Sequence, residues 1–550
     1  MAISLFDLPR ELRDYVWYYS FAEPGGYIYE NTILRTATYQ LINISLLLVC
    51  RAIYIEAKDF LLRANRITSM ATSIDEWRPT VQATRFDLAY LQRQDIRGWL
   101  ANRCRRCMTD AIRAKVEQKF PSSHYLLKYL ASEPPSLHVI LRYPQDWHQT
   151  PSIHHESIAY LLQQMFYHPY FKGLALRALY EWNPVTARVL WSHLKELVFS
   201  KLDAKPWFIP SEEDLRTLER AVGMRPCHRS MRKRTFSAVF QCIEFLNSLS
   251  ESSRKSVRRV TLWDQYVAAA GASSHVLGLI PFALENPRLR IEHHFGLWFN
   301  VIAGSEKCVL FRHCDFYVKR HMCNVGRAAT TGWLPKDNFP RWQVSEAMTV
   351  WIREAKRAFE EGLPRGSFEL FFSCSDMATV LKPWKVLLED ATWQTALEIC
   401  QTRGRVLIVD RSQRFSGEPE TIEHFVLERP RSSRFSADFP QDIADILSGT
   451  SFVHIGACPG PGQEDAFKSV TAVFYFQPDV EAVIADNWHC ESPSDWGRKW
   501  WALADRGDDS AVWDIWSHVV NQDDRLYNSV FTCGRWWHAV GFGNGQSREA

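Results

Sequence analysis

The chain lacks a charge excess of either sign: over 550 residues, 65 lysines and arginines stand against 62 acidic residues, a formal net charge of +3. Such a balance excludes a global electrostatic field that would draw the protein to nucleic acid or acidic membranes, so a basic surface has to be local. Long apolar runs are missing too, because the longest, near residues 46–49, is far short of a membrane span. We therefore expect no membrane partner.

The start of the chain lacks the basic and apolar regions of a signal peptide. An ordered cysteine framework is also missing, since the 13 cysteines are odd in number and scattered along the chain. Cysteines in this pattern favour reduced thiols over disulfides. Together these absences predict a cytoplasmic or nuclear protein.

Known catalytic motifs are absent as well. The glycines of 456–462 lack the Gly-Lys-Ser/Thr ending of a phosphate-binding loop, and those of 541–545 have no helix after them. His155-Glu156 begins like a zinc-protease helix, but Ala159 occupies the second histidine position, and no Gly-x-Ser-x-Gly elbow occurs. We therefore predict a non-enzymatic protein with no catalytic residues and no cofactor.

Cys104 and Cys107 form the one obvious metal-binding candidate. A structural zinc would need two more ligands, which Cys227-His228 or the histidines and cysteines of 313–323 could supply only by distant folding. The alternative is that both thiols lie on the apolar stripe of a helix, where small buried cysteines belong. We favour the alternative and predict no bound metal.

Beyond residue 134, short apolar runs alternate with helix-period segments, which predicts an α/β fold, or a mixed α+β fold, in which helices cover a sheet or form an irregular solenoid. The predicted strands are 137–143, 196–199, 257–263, 367–372, 406–409 and 470–476. The predicted helices begin at Ser211, Phe236, Ser345 and Ser375, and Pro383 is expected to kink the last one.

Changes in composition and clusters of turn-forming residues divide the chain into six predicted parts. These are a helical unit at 1–70, a helical linker region at 71–133, an irregular α/β region at 134–410, a loop-rich connection at 411–441, a tryptophan-rich α/β unit at 442–540 and a frayed tail at 541–550. Residues 225–234 read as a basic linker or a nuclear-import signal.

A basic amphipathic helix is predicted over 95–120, with seven positive charges against two negative ones on its polar face. The possible basic surface consists of Arg105, Arg106, Arg113 and Lys119. Such a face binds an acidic partner or a phosphate backbone, or it is simply solvated. We favour the solvated face and expect no nucleic-acid partner.

Tryptophan is the one compositional outlier, with 22 residues, eight of them between Trp488 and Trp537. Such density indicates either a ligand or peptide groove or the filling of a core. The helical spacing of Trp496, Trp500, Trp513 and Trp516 favours the core.

Two amphipathic segments open the chain. Leu8, Leu12, Val16 and Tyr19 fall on one face of a predicted first helix, and a longer helix is predicted over 46–64, with Asn65 as a left-handed stop. Short helices of this kind cannot bury their apolar faces alone, so they pack on each other or on a partner.

The first of these segments carries Leu-Pro-x-Glu-Leu-Arg-x-x-Val-Trp over 8–17, and the second carries Leu-Leu-Val-Cys-Arg-Ala-Ile-Tyr-Ile-Glu-Ala over 47–57. With these two motifs the segments resemble the F-box-like proteins of filamentous fungi. The resemblance implies an intracellular substrate adaptor of a cullin-type ubiquitin ligase, which binds a Skp-type adaptor protein and an unknown target protein. It implies that the adaptor is bound by Leu8, Pro9, Glu11, Val16, Val49 and Cys50.

Two alternatives stay open. The spacing of 41 positions between Leu8 and Val49 and the polar Ser20 favour a scaffold or accessory protein that keeps these helices only as a folding unit. An unrecognised enzyme with a pocket in the α/β region is the third hypothesis. Under the first hypothesis, that of a substrate adaptor, we expect Leu12 and Ile53 to hold the two helices together.

Overall fold

The computed structural model describes residues 5–30, 32–73, 76–131, 149–199, 205–223, 234–302, 342–406, 436–461, 463–472, 479–490, 495–496 and 499–500. A single mixed sheet organises this part of the chain. Its strands are β1 (Tyr27–Glu30), β2 (Ile33–Thr36), β3 (Arg66–Met70), β4 (Arg259–Asp264), β5 (Arg290–Gly296), β6 (Phe368–Cys374), β7 (Val453–Ala457) and β8 (Lys468–Ser469).

The sheet has the strand order β2-β1-β3-β4-β5-β6-β7-β8. Strands β1 and β3 to β7 are parallel, while β2 and β8 pair antiparallel at the two edges. Because the parallel strands are neighbours in chain order, right-handed crossovers place their connections on one face of the sheet. The α/β prediction is thus confirmed.

Helices occupy most of the described residues outside the sheet. They are α1 (Arg10–Phe21), α2 (Arg51–Ala57), α3 (Phe60–Arg63), α4 (Trp77–Arg103), α5 (Asp110–Lys119), α6 (His124–Ala131), α7 (Pro151–Met165), α8 (Phe171–Trp182), α9 (Ala187–Ser192), α10 (Leu194–Phe199), α11 (Glu212–Ala221), α12 (Ala238–Ser248), α13 (Glu251–Arg254), α14 (Ile280–Glu285), α15 (Trp342–Glu360), α16 (Met377–Thr402), α17 (Phe439–Ser448) and α18 (Val480–Asp486).

The two faces of the sheet differ. One face packs against α12, α15, α16 and α17 in the main core, with alternate strand residues such as Val260, Leu262, Ile291, Leu370 and Ile455. The other face carries an aromatic row in which Trp263 stacks on His294 at 4.9 Å and His294 on Phe371 at 4.4 Å between ring centroids. Helices α4 to α11 form a second core between β3 and β4 in the chain.

Several predicted elements are confirmed. The runs 257–263 and 367–372 are β4 and β6, and the helices expected from Ser211, Phe236, Ser345 and Ser375 are α11, α12, α15 and α16. Helix α11 begins with a capping box between Ser211 and Asp214. Helix α16 continues through Pro383.

Other predicted strands fail. The run 196–199 is the end of helix α10, because its apolar residues face the second core at helical spacing. Residues 470–472 form a 3₁₀ turn rather than the start of a strand. The run 137–143, most of 406–409, the basic linker 225–233 and the tail 541–550 lie outside the described residues.

The predicted boundaries at 70 and 441 cut through the sheet. Strand β3 pairs with β4, and β7, from the predicted C-terminal unit, pairs with β6. The segment 1–70 is also not purely helical, since it contributes three strands. Parallel pairing joins residues that are distant in the chain, so local composition could not reveal it.

The prediction of one long basic helix over 95–120 is wrong, because the segment forms two helices with a turn between them. Helix α4 ends at Arg103 with Cys104 as its C-cap, a 3₁₀ turn spans Arg105–Cys107, and α5 begins at Asp110 with Thr109 as its N-cap. Arg97, which was expected on the polar face, is buried and donates through Nε to the Leu197 carbonyl at 2.8 Å. The charged residues of this segment therefore do not form one continuous face.

Candidate partner-binding surface

The N-terminal helices share a small core of their own. Trp17 and Phe21 of α1 are buried together with Ile53 and Ala57 of α2 and Phe60 of α3. The longer predicted second helix is divided here: a 3₁₀ turn at Ser45–Leu48 precedes α2, and α3 follows separately. Burial of Ile53 confirms its expected role between the helices.

A charged contact fixes α1 against α2. Arg13 donates from Nε to Glu56 Oε2 at 3.0 Å and from Nη2 to Glu56 Oε1 at 2.9 Å. Trp17 Nε1 also donates to Glu56 Oε2, at 3.4 Å. The hydrogen bond from Arg13 holds the pKa of Glu56 below its usual range. A bidentate pair of this kind sets orientation as well as contact.

Asn65 ties the end of α1 to the end of α3. Its Nδ2 donates to the carbonyls of Phe21 at 2.7 Å and Leu61 at 2.8 Å, and its Oδ1 accepts from the Glu23 backbone N–H at 2.8 Å. The residue is not among those with positive φ, so the predicted left-handed stop is wrong. Its side chain ends the helices by hydrogen bonding instead.

The opposite side of these helices exposes apolar side chains, and we call this set the outer face. It consists of Leu12, Tyr15, Val16 and Tyr19 of α1, Leu48 and Val49 before α2, and Tyr54 and Ile55 of α2. The predicted stripe of α1 therefore lies outside, and Leu12, 49% exposed, does not hold the helices together as expected. Exposed apolar side chains that recur along one side of a helix are typical of interaction sites.

All six residues of the expected adaptor site reach the surface. Pro9, Glu11, Val16, Val49 and Cys50 are exposed, and Leu8 is partly exposed. Pro9 also caps α1, because its carbonyl accepts from the backbone N–H groups of Leu12 and Arg13. The two motifs thus divide by exposure. Their buried or partly buried residues at the helix contact are Arg13, Trp17, Ile53, Glu56 and Ala57, whereas the six residues of the expected adaptor site reach the surface.

The possible basic surface is distributed over separate elements and engaged within the chain. Arg113 pairs with Asp110 at 2.7 Å, Arg105 donates to Asn102 Oδ1 at 3.4 Å, and Lys119 Nζ lies 4.4 Å from the Tyr160 ring centroid. Arg106 lies in the short turn between α4 and α5. These contacts are those of a solvated helical surface.

Two buried polar pairs resemble fragments of a hydrolase site. Ser237 Oγ lies 2.8 Å from His275 Nδ1, and His293 Nε2 lies 2.7 Å from Asp264 Oδ2. Burial lowers the pKa of His275 to about 3. All four side chains are almost fully buried, so no substrate reaches them in this conformation. Ser237 caps α12, and Asp264 accepts from the Ala238 backbone N–H at 2.7 Å, which are structural roles.

The cysteine pair is buried at the junction of α4 and the following turn. Burial raises the pKa of both Cys104 and Cys107, so both are protonated thiols at neutral pH. In the part of the chain that the structure describes, no three His, Cys, Asp or Glu side chains come together as a metal-binding group. The other ligands considered, Cys227, His228 and those of 313–323, lie outside it.

The described tryptophans of the C-terminal cluster include both buried and exposed side chains. Trp496 and Trp500 are buried with Trp393 of α16, and Trp500 Nε1 donates to Asp390 Oδ1 at 3.0 Å. Trp488 is exposed. The remaining members, from Trp501 onward, lie outside the described residues. Where the structure describes it, the cluster mostly fills a core.

A group of arginines was not singled out from the sequence. Arg66, Arg259 and Arg290 begin β3, β4 and β5 and face each other in register, and they line a cavity of about 490 Å³. One signal was available: each of the three arginines directly precedes a buried branched residue, namely Ile67, Val260 and Ile291. Only strand pairing shows that the three arginines are neighbours.

No family model matches the sequence, and no curated protein or solved structure gives a significant match. Among the described helices, none combines the length and the apolar character needed to cross a bilayer. The likeness to F-box-like proteins therefore rests on the two N-terminal motifs alone.

Proposed function

We propose that the protein is an F-box-like substrate adaptor whose outer face binds a Skp-type adaptor protein, while the α/β region recognises an unknown target. The observation that carries the proposal is the division of the two motifs between an inner core and an exposed apolar face. Motif residues whose side chains are exposed, such as Val16 and Val49, are those expected to contact a partner.

The energetics of the outer face support this function. Val49, Leu48 and Tyr19 are 66%, 74% and 74% exposed, so burying them against a partner would remove much apolar surface from water. Each fully buried side chain of this size contributes about 1.5–3 kcal/mol. A few such anchors dominate the free energy of an ordinary interface.

The proposal also places the protein in the cytoplasm or the nucleus. Six of the described cysteines, Cys50, Cys104, Cys107, Cys242, Cys374 and Cys400, are free thiols, as expected for a reducing compartment. Exposed Cys50 lies within the expected adaptor site.

A scaffold or accessory function is the second candidate, and one observation favours it. The N-terminal segment contributes β1 and β3 to the common sheet, and its helices are joined to each other by Arg13 and Glu56. The segment would therefore be retained for folding even without an adaptor. The two candidates differ only in whether the outer face is occupied.

Co-purification of the full chain with a Skp-type adaptor tests the proposal. The double variant Val16→Asp/Val49→Asp is expected to lose at least about tenfold in affinity, because it places two charges in an apolar interface. Val185→Asp is the matched control, since Val185 is also exposed but lies between α8 and α9. Its adaptor binding should equal that of the wild type.

Thermal unfolding of all three proteins should agree, because the substituted side chains are exposed. A wild-type chain that retains no adaptor, or a double variant that binds as well as the wild type, would reject the adaptor function and leave the scaffold.

A further inference from the structure

Three arginines lie side by side where strands β3, β4 and β5 begin. Arg66 pairs in register with Arg259, and Arg259 with Arg290. Neighbouring strands are about 4.8 Å apart, and residues in register project from the same face. Since the next residue on each strand is buried in the helix-covered core, these arginines project from the opposite face.

Three further arginines line the same cavity, and we call the set the arginine cradle. It consists of Arg63, Arg66, Arg258, Arg259, Arg288 and Arg290. Two carboxylates, Glu23 and Asp465, also line the cavity of about 490 Å³. Six guanidinium groups against two carboxylates leave a local excess of four positive charges in a chain whose formal net charge is +3.

Like charges directly opposite each other on neighbouring strands destabilise a sheet. Burial lowers the pKa of Arg258, and the neighbouring Arg288 and Arg63 lower it further. Asp465 compensates part of the charge through Arg66, at 2.9 Å. Two further acidic groups, Glu292 and Glu369, lie on the same face of the strands outside the cavity lining. The pKa of Glu369 is lowered by His454 and, more weakly, by Arg290.

Backbone contacts hold parts of the cradle in place. Arg258 Nη1 donates to the Lys255 carbonyl at 2.6 Å, and Arg290 Nη1 donates to the Pro287 carbonyl at 3.3 Å. Gly26 closes one wall: its φ is +73°, and a Cβ there would come within 2.3 Å of the Arg66 carbonyl oxygen. The turn therefore approaches β3 as closely as a glycine allows.

We propose that the arginine cradle binds a small polyphosphate, meaning a compact molecule that carries two or more linked or neighbouring phosphate groups. Planar guanidinium groups bind phosphate oxygens bidentately, and six of them around one cavity match an anion of high charge. The volume is that of a small-molecule site. The three arginines in register lie on adjacent strands about 4.8 Å apart, a spacing that suits a compact anion.

Isothermal titration of the full-length protein with inorganic tripolyphosphate tests the proposal, with sulfate and a singly phosphorylated serine peptide as comparison ligands. Tripolyphosphate is expected to bind with one site per chain and at least about tenfold more tightly than either. Equal affinity for sulfate would show general anion attraction and overturn the proposal. Tighter binding of the phosphopeptide would also overturn it, in favour of a protein target.

The variant Arg259→Gln/Arg290→Gln should weaken tripolyphosphate binding at least about tenfold, because it removes two of the six guanidinium groups that would hydrogen-bond the phosphate oxygens. Arg259 and Arg290 are exposed, so the variant should unfold at the wild-type temperature or slightly above it. Arg177→Gln is the matched control, since Arg177 is an exposed arginine on α8. Unchanged binding in the double variant, or an equal loss in the control, would refute the site.

Discussion

The outer face and the arginine cradle are two exposed surfaces of opposite chemistry. The outer face consists of apolar residues on two short helices, at most about forty-five positions apart in the chain. The cradle collects arginines from segments more than two hundred positions apart. The first arises because a helix has a second side that its own core does not cover. The second arises because strand register aligns three separate arginines.

The comparison also separates two sources of binding free energy. Burial of apolar area depends little on ionic strength. Attraction between guanidinium groups and an anion is Coulombic, so it weakens as salt screens the charges. The predictions below test the two regions from the largest expected effect to the smallest.

The largest effect is expected beneath the outer face. Ile53→Ala should lower the free energy of unfolding by about 2–5 kcal/mol, because it leaves a cavity in the small N-terminal core. Ile55→Ala, two positions away and 57% exposed, should change it by less than about 0.5 kcal/mol. Urea unfolding followed by tryptophan fluorescence measures both. Equal losses of unfolding free energy in the two variants would show that α2 does not bury one side and expose the other.

Acid is expected to lower the stability of the fold through buried histidines of the sheet rather than through the outer face. Burial lowers the pKa of His294 to about 3, and it also lowers the pKa of His293. The unfolded chain takes up protons near pH 6.5, whereas the folded chain does not, so stability is complete above that pH and falls below it. Between pH 6.5 and 5, the buried His294 should cost about 1–2 kcal/mol.

The measurement is urea unfolding at a series of pH values for the wild type, His294→Phe and, as a control, the partly exposed His168→Gln. His294→Phe should flatten the acid slope, and His168→Gln should leave it unchanged. A slope that His294→Phe leaves intact would mean that other groups carry the acid sensitivity.

Salt should separate the two surfaces. Raising NaCl from 50 to 500 mM is expected to weaken tripolyphosphate binding about tenfold, because the Debye length falls from about 14 to about 4 Å. Adaptor binding through the outer face should change by less than about twofold. Titrations at both salt concentrations provide the test. A similar salt response of the two affinities would contradict the distinction.

The smallest effect is expected at the contact between α1 and α2. Glu56→Gln should cost no more than about 1 kcal/mol at pH 7, because the pair with Arg13 lies near the surface. The pKa of Glu56 is lowered in the folded chain, so its contribution is present above the unfolded value near 4.3 and is lost as the pH falls further. Wild type and variant should therefore converge in acid. A constant difference down to pH 3 would exclude the ion pair as the cause.

Local patterns predicted much of the secondary structure and the exposed motif residues. The capped start of α11, the apolar runs of β4 and β6 and the burial of Ile53 all follow from spacing and turn chemistry. Strand β5 was missed because its run 290–296 contains Arg290, Glu292, His293 and His294 and does not look apolar. Those side chains are accommodated by pairs such as His293 with Asp264.

By itself, the sequence determined which segments are amphipathic and that an α/β fold would form. It determined these because helix period, capping and alternation act over a few residues. The tertiary structure alone decided that α1 turns Trp17 inward and Leu12 outward, that β1 and β3 join the sheet of β4 to β7, and that Arg66, Arg259 and Arg290 meet. Pairing between distant parallel strands depends on register, and register is set by the packed core as a whole.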